Sequence, residues 1–215
     1  MAKTLLRDSF VRRGLKAEVE YELPGLGGDR RADVLVWSPS GKPVAIELQH
    51  AAIGLVEIER RAASYAKMEL AQMWLPFLRP GTLDNAERRP GGNDGDWFVA
   101  RYRALQWERW VHGFNHGEVW FYDASKAMFW RGRFERHEIA TAPRSWLERG
   151  LREVFDMSDV HCSKRWRELT LWGPYHLEQL RIDVRARQRL SLGPHTYPRG
   201  MIARFVAPIP AAMTG

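Results

Sequence analysis

The sequence is poor in cysteine and in long apolar runs, and each shortage excludes a class of protein. Its 215 residues include a single cysteine, Cys162, which excludes an internal disulfide and any cysteine-rich zinc module. No window approaches the roughly 18 uninterrupted apolar residues of a membrane-spanning helix. The N-terminus carries charges from Lys3 to Arg13 and lacks the apolar segment of a secretion signal. We therefore expect a cytoplasmic protein without a membrane partner.

Lysine is also scarce, although the chain is basic. It has 33 Lys and Arg residues against 26 Asp and Glu residues, a formal net charge of +7, and only six of the cations are lysines. The guanidinium fork of arginine binds phosphate through two donors at once. This balance favours a polyanionic partner such as nucleic acid. The composition does not decide between a monomer and a homodimer.

Residues 1–80 are predicted to form an α/β core. After a short helical lead-in, alternating and β-branched runs separated by Gly, Pro and Ser predict three strands. Apolar residues at helical spacing then predict a helix, which a fourth strand follows. The predicted bounds are 16–23, 31–37 and 43–49 for the first strands, 55–73 for the helix and 74–77 for the last strand.

The rest of the chain divides in two. Residues 81–96 are rich in Gly, Pro, Asn, Asp and Arg, which is typical of a loop or linker. Residues 97–215 carry eight of the ten tryptophans and most of the excess positive charge. We expect this Trp/Arg-rich extension to pack on the core, in one structural domain overall. Its predicted elements are a hairpin that turns at 124–126, a helix over 143–155 and partly helical structure over 166–189.

Two groups of side chains in the extension bear on function. Arg181 and Arg185 would share a helical face and could contact phosphates. His112 and His116 lie four residues apart, but Gly113 argues against a helix and no third ligand lies nearby, so a zinc site is disfavoured. Most of the tryptophans fit a core better than a base-stacking surface, because they sit in alternating or amphipathic patterns.

The first hairpin brings two acids together. Side chains alternate between the faces of a strand, and paired residues of antiparallel strands share a face. The five-residue loop from Ser38 to Lys42 gives pairs whose numbers sum to 80. Asp33 would then face Glu47, away from the most apolar face of the hairpin, and Arg31 would face Gln49.

Two carboxylates opposite each other repel unless positive charge lies between them. Mg²⁺ selects one or two carboxylates together with water and substrate phosphate oxygens, and Mn²⁺ would serve as well. The carbonyl of Leu48 could supply a third oxygen to this metal. Such a site lowers the pKa of a bound water and neutralises charge on a phosphoryl oxygen, so it predicts hydrolysis of a phosphodiester. The alternative is that Asp33 and Glu47 only form ion pairs with Arg30 and Arg31.

These residues carry a family resemblance. Asp33 followed by Glu47-Leu48-Gln49 on the next strand resembles the D…ExK signature of the PD-(D/E)XK nucleases, with Gln in place of Lys. More closely, residues 30–34, 45–50 and 59–75 resemble the nuclease domain of the competence protein CoiA, whose members likewise carry ExQ. The resemblance covers roughly residues 15–78. It implies a restriction-endonuclease-like core with a mixed central sheet flanked by helices.

The resemblance also implies roles for single residues. Asp33 and Glu47 would be metal ligands, and Gln49 would take the place of the usual lysine. Arg60 and Tyr65 would line the site from the adjacent helix. Their simpler interpretations are an ion pair of Arg60 with Glu57 and packing of Tyr65 at the edge of the core.

Two further sources could complete the site. Members of this group often take an extra acid from the first element. Glu18, Glu20 and Glu22 alternate there, and Glu18 is the candidate chosen, the alternative being that all three face solvent. A neutral amide at Gln49 leaves one positive charge missing, which Arg31, Arg60 or Lys67 could supply.

The sequence therefore predicts a metal-dependent deoxyribonuclease, either endonuclease or exonuclease, with Mg²⁺ or Mn²⁺ as cofactor and DNA of unknown strandedness as partner. An inactive DNA-binding protein of the same fold would have the same sequence features. A protein-interaction subunit with incidental charge is the third alternative.

Overall fold

A computed structural model describes residues 1–23, 31–89, 96–148, 150, 152–156, 159–193 and 195–208. Within these ranges the chain forms three α-helices, α1 (Ala2–Arg12), α2 (Leu55–Lys67) and α3 (Gln106–Phe114). None of the helices in these ranges is long and apolar enough to cross a membrane. The strands are β1 (Ala17–Glu22), β2 (Arg31–Trp37), β3 (Pro43–Gln49), β4 (Ala71–Pro76), β5 (Glu87–Arg88), β6 (Asp96–Tyr102), β7 (Val119–Asp123), β8 (Met128–Ala140), β9 (Arg144–Glu148), β10 (Arg152–Asp156), β11 (Val160–Tyr175), β12 (Arg181–Arg187), β13 (Leu190–Leu192), β14 (His195–Tyr197) and β15 (Gly200–Val206).

The first sheet has six strands in the order β1-β2-β3-β4-β15-β12. Strands β1, β2 and β3 are antiparallel neighbours, whereas β4 lies parallel to β3 and is reached through α2. The predicted order of three strands, a helix and a strand is confirmed. The helix ends at Lys67 rather than residue 73, because Glu69 adopts a positive φ of 56° and turns the chain into β4.

Both faces of this sheet are buried, which is why its central strands are apolar almost throughout. On one face, Val34 and Ile46 belong to the cluster that includes Phe10 of α1. On the other, Leu35 and Ala45 pack in the cluster that includes α2. The helices therefore sandwich the sheet, and α2 lies over the segment that ends in Gln49.

The second sheet has the order β5-β6-β11-β8-β7 and joins the first through β7. The Leu78 N–H donates to the Tyr122 carbonyl at 2.9 Å, and Phe77 forms a parallel bridge with Tyr122. The two sheets share a core in which several tryptophans are buried. These are Trp74, Trp107, Trp110, Trp120 and Trp130.

The helix predicted over 143–155 is wrong. The chain instead forms an antiparallel hairpin of β9 and β10, with Arg144 paired to Asp156. Gly150 lies in its turn with a φ of 70°, which favours glycine and interrupts a helix.

The partly helical structure predicted over 166–189 is also wrong, apart from a single 3₁₀ turn at Leu177–Gln179. Leu169, Thr170 and Leu171 are all fully buried in β11, which pairs with β6 on one side and with β8 on the other. Arg181 and Arg185 lie on β12. They still share a face, because a separation of four residues is also an even number of strand positions.

Two smaller expectations also change. The predicted linker contains a 3₁₀ turn at Leu83–Asn85 and strand β5, while residues 90–95 lie outside the described ranges. Gly113 does not exclude a helix, since it lies within α3. A Cβ there would stand 2.2 Å from the Tyr197 hydroxyl oxygen, so packing requires glycine at this point of the helix.

Candidate functional site

The β2–β3 ladder stops where the two predicted acids begin. Its pairs run from Trp37–Pro43 to Val34–Ile46, with the predicted sum of 80. Beyond that point the Leu48 N–H donates to Asp33 Oδ2 at 2.8 Å. A side-chain carboxylate thus takes the place of a backbone acceptor, and Asp33 is fixed beside the Glu47–Leu48 peptide.

Glu47 is buried among side chains of α2. It is 1% exposed, Arg61 Nη2 lies 2.5 Å from its Oε2, and the Tyr65 hydroxyl donates to its Oε1. Arg61 and Tyr65 are four residues apart on the helix, so they face the sheet together. Burial raises the pKa of Glu47 to about 7, a rise that Arg61 opposes and that the charge of Asp33 increases.

Lys3 of α1 supplies positive charge on the other side of this pair of acids. Its Nζ lies 2.6 Å from Asp33 Oδ1 and also contacts Glu20. Partial burial opposes protonation, yet the bonds to Asp33 and Glu20 leave the pKa of Lys3 above its ordinary value. Lys3 and Arg61 therefore each hold one of the two acids.

Two predicted site residues make local contacts. The Gln49 amide donates to the Ala51 carbonyl at 2.5 Å. Arg60 donates from Nε and Nη2 to the two carboxylate oxygens of Glu57, both at 2.8 Å. This is the simpler interpretation of Arg60, and its part in the site stays a prediction.

The two accessory candidates on the first strands lie on the β1 side of the site. Glu18 is paired with Lys16 at 3.1 Å. Arg31 lies 3.3 Å from Glu22 and 3.8 Å from Glu20. Glu20 is thus the acid of β1 that shares Lys3 with Asp33, whereas Arg30 lies outside the described residues.

Arg181 and Arg185, the predicted nucleic-acid contacts, lie apart from the acids. Their strand β12 is two strands away from β4 in the sheet order. Asp183 lies between them on the same face, and its Oδ2 is 2.6 Å from Arg185 Nε. Their contact with nucleic acid stays a prediction.

Sequence reasoning missed Lys3 and Arg61, and it chose Glu18 where the structure places Glu20 next to Lys3. Helical spacing could have found Arg61, since it lies three residues after Ile58 and four before Tyr65, both of which are buried. No comparable signal marks Lys3, because its contact with Asp33 spans thirty residues and depends on how α1 crosses the sheet.

A divalent metal fits this donor set only if water and phosphate supply most of its ligands. In the part of the chain that the structure describes, no group of three or more His, Cys, Asp or Glu residues could hold a metal ion. Asp33 is bonded to the Leu48 N–H, next in the chain to Glu47, so this segment offers the two carboxylates that Mg²⁺ or Mn²⁺ needs when water and phosphate complete its shell. Burial raises the pKa of Glu47 although Arg61 opposes the rise, and a bound cation would lower that pKa further.

Comparison with known proteins gives one match. Residues 1–79 match the family described as Competence protein CoiA, nuclease-like domain. No curated protein and no solved structure matches the chain. The matched range contains α1, the first four strands and α2, with every residue of the acid site. This N-terminal part of the chain is therefore similar to a CoiA-like, nuclease-like domain.

Proposed function

We propose that the protein is a metal-dependent nuclease that hydrolyses phosphodiester bonds in DNA. The observation that carries this proposal is the junction at the end of the β2–β3 ladder, where Asp33 is bonded to the Leu48 N–H beside the buried Glu47. The order α1-β1-β2-β3-α2-β4 supports a PD-(D/E)XK core, because that core requires the acids on adjacent strands next to a crossover helix. The ExQ pattern at Glu47–Gln49 is part of the same proposal.

Asp33 and Glu47 would hold Mg²⁺ or Mn²⁺, with the Leu48 carbonyl as a further oxygen. When bound, such a cation lowers the pKa of a coordinated water and neutralises charge on the phosphoryl oxygen. Asp33 needs little reorganisation, because the Leu48 N–H already orients its carboxylate. Glu47 is oriented by Tyr65 and Arg61 on the rigid helix α2.

Lys3 would supply the positive charge that Gln49 lacks. The ammonium of Lys3 lies 2.6 Å from Asp33 Oδ1, so it reaches the site in space although it comes from another element. An ammonium here can stabilise charge that develops on the phosphate in the transition state. The Gln49 amide, on the exposed side of the site, would orient the attacking water.

Cleavage assays with the purified protein test the proposal. We expect nicking or degradation of supercoiled plasmid or single-stranded DNA with Mn²⁺ or Mg²⁺, and loss of this activity in Asp33→Asn. Asn keeps an oxygen acceptor for the Leu48 N–H, so the sheet edge is preserved while the charge is removed. Mn²⁺ binding, followed by electron paramagnetic resonance, should weaken in the same variant. Equal activity of the wild type and Asp33→Asn would overturn the proposal.

An inactive DNA-binding protein of the same fold is the second candidate. The favouring observation is that Lys3 and Arg61 already form ion pairs with Asp33 and Glu47 without a metal. This alternative predicts DNA binding that is steeply salt-dependent and insensitive to chelators. Affinity that is unchanged by EDTA, together with no cleavage under any divalent metal, would favour it over the nuclease.

A further inference from the structure

A cleft opens beyond the ends of β3 and β4, and neither Asp33 nor Glu47 is among the described residues that line it. Its volume is about 490 Å³, and His50, Phe77 and the β7–β8 turn line it. His50 directly follows β3 and Phe77 directly follows β4, and the Phe77 N–H donates to the Gln49 carbonyl at 3.0 Å. Because a strand rises about 3.3 Å per residue, the cleft begins only about 10 Å from Glu47 along the chain.

Aromatic rings form one side of this cleft. Phe77 packs edge-to-face with His50 at 5.9 Å and with Tyr122 at 5.3 Å between ring centroids. His50 is exposed and Phe77 is half-buried, so the pair offers ring surface to a ligand. Stacking on such rings is how proteins hold single bases without reading their sequence.

Polar side chains also line the cleft. Lys126 of the β7–β8 turn lines it, as do Asp84 and Asp123. The Asp123 Oδ1 atom accepts hydrogen bonds from the Ser125 N–H at 3.0 Å and from the Ser125 hydroxyl at 2.6 Å. These bonds stabilise the β7–β8 turn. The mixture of rings and charge suits a nucleotide better than a purely apolar ligand.

A second cleft continues from the first. It has a volume of about 470 Å³ and shares the Arg79–Gly81 segment with its neighbour. Arg101 and Arg103 line it and are exposed, and within the described residues no acidic side chain lines it.

Arg79 belongs to the lining that the two clefts share. Its Nη2 donates to the Arg103 carbonyl at 2.8 Å, and its guanidinium lies 4.3 Å from the centre of the Tyr102 ring. The Arg79 side chain is therefore held in place, while the other two arginines of the second cleft face solvent.

We propose that these two adjoining clefts form a track for one nucleic-acid strand. A base would stack on Phe77 and His50, about 10 Å along the chain from Glu47, and the backbone would continue onto Arg101 and Arg103. Each cleft lies within the range of about 300 to 1,000 Å³ typical of small-ligand sites, which suits one or two nucleotides rather than a duplex. The part of this inference that concerns substrate rests on the proposed nuclease function.

Two double variants of equal charge test the track by fluorescence anisotropy of labelled single-stranded DNA in EDTA. Arg101→Ala/Arg103→Ala removes two cations from the second cleft. Lys42→Ala/Arg199→Ala removes two exposed cations from a cleft of about 660 Å³ at the opposite end of the sheet. Lys42 directly precedes β3, and Arg199 directly precedes the strand that lies parallel to β4, so both belong to the other edge.

We expect the Arg101→Ala/Arg103→Ala protein to lose at least 10-fold in affinity. Its slope of log affinity against log salt should become shallower by about 1.4, since each single-strand phosphate contact contributes about 0.7. The Lys42→Ala/Arg199→Ala protein should stay within about 2-fold of the wild type. Equal losses in both proteins, or tighter binding of duplex than of single strands, would overturn the track.

A base analogue tests the aromatic side of the track. Strands that carry 2-aminopurine at successive positions should show a fluorescence change at one or two positions only. His50→Ala should remove that change and weaken binding about 10-fold, whereas His50→Phe should restore both, because it keeps a ring. A signal that His50→Ala leaves intact would contradict the proposed stacking.

The track and the nuclease can fail separately. If the protein binds strands through Arg101 and Arg103 but never cleaves them, the track stands and the proposed function fails. If it cleaves DNA while the Arg101→Ala/Arg103→Ala protein binds and cleaves like the wild type, the nuclease stands and the track fails.

Discussion

The molecule contains two buried glutamates with the same kinds of neighbour. Glu47 and Glu108 are each 1% exposed. Each accepts a hydrogen bond from a tyrosine hydroxyl, and each lies near an arginine, Arg61 at 2.5 Å and Arg79 at 3.8 Å respectively. Burial raises the pKa of both carboxyl groups.

The two sites differ in what else the carboxylate binds. Glu108 Oε2 accepts the Leu105 N–H at 2.7 Å and so caps the first turn of α3. Glu47 is held by the side chains Arg61 and Tyr65, and a second acid, Asp33, raises its pKa further. A backbone donor gives Glu108 a structural task, whereas Glu47 is bound by the side chains of α2 and has a neighbouring acid that adds negative charge.

The comparison shows that burial and a raised pKa do not by themselves identify a catalytic acid. Structural clusters shift pKa values in the same direction. The distinguishing feature is a second carboxylate at a point where two strands separate. Four experiments can break or sharpen this distinction.

The largest expected effect is on cleavage. Glu47→Gln should reduce the rate about 1,000-fold, because it removes a charge proposed to hold the metal. Glu108→Gln should change the rate less than about 3-fold. Rates measured with Mn²⁺ on a plasmid substrate provide the check, with circular dichroism to confirm folding. Similar losses in both proteins would remove the distinction between the two glutamates.

The next effect is on stability against pH. Burial raises the pKa of Glu47 from its ordinary value of 4.5 to about 7, so the native state keeps a proton that the unfolded state releases between these values. The contribution of Glu47 to the free energy of unfolding therefore falls as pH rises through that window, by about 3 kcal/mol in all. Relative to the wild type, Glu47→Gln should gain this amount between pH 4.5 and 7 in urea titrations. An unchanged difference across the window would contradict the burial argument.

A smaller effect is expected at Lys3. Lys3→Ala should slow cleavage about 10- to 100-fold, because it removes positive charge next to the phosphate. It should also tighten Mn²⁺ binding, since Asp33 loses its competing cation. Lys3→Arg should recover part of the rate. Lys16→Ala, which removes a lysine paired with Glu18, is the matched control and should match the wild type in both assays.

The smallest effect concerns the tyrosines. The Tyr65 hydroxyl favours the ionised form of Glu47, so Tyr65→Phe should raise the pKa of that carboxyl. The acid limb of the rate profile should then move to higher pH by about half a unit. Tyr102→Phe, which alters the Glu108 cluster, should leave the profile in place. A shift produced by both variants would indicate a general effect of lost stability.

Local pattern predicted the hairpin register and the first strands well. Alternation within β2 and β3 and the five-residue loop fix which residues face each other, and both are properties of a short segment. The end of the ladder at Val34–Ile46 was not predictable, because it depends on a side chain, Asp33, that replaces a backbone acceptor.

Long-range packing decided what the sequence pattern could not. The strand hairpin of β9 and β10 has a composition that also fits a helix, and only pairing between the two segments selects the strand. Lys3 reaches Asp33 because α1 packs across β2, a tertiary contact without a local signal. The strand positions of Asp33 and Glu47 were thus predictable from the sequence, while the contact of Lys3 with Asp33 was not.

The bond from the Leu48 N–H gives Asp33 a structural role that Glu47 lacks, and this difference matters for a related protein that has lost catalysis. Asp33 also accepts the backbone hydrogen bond at the end of the β2–β3 ladder, so a chain without catalysis would still be stabilised by keeping it. Glu47 has no such secondary use, and an amide or an apolar side chain in its position would relieve an unfavourable buried charge. A homologue that has lost turnover should therefore keep the first acid and discard the second.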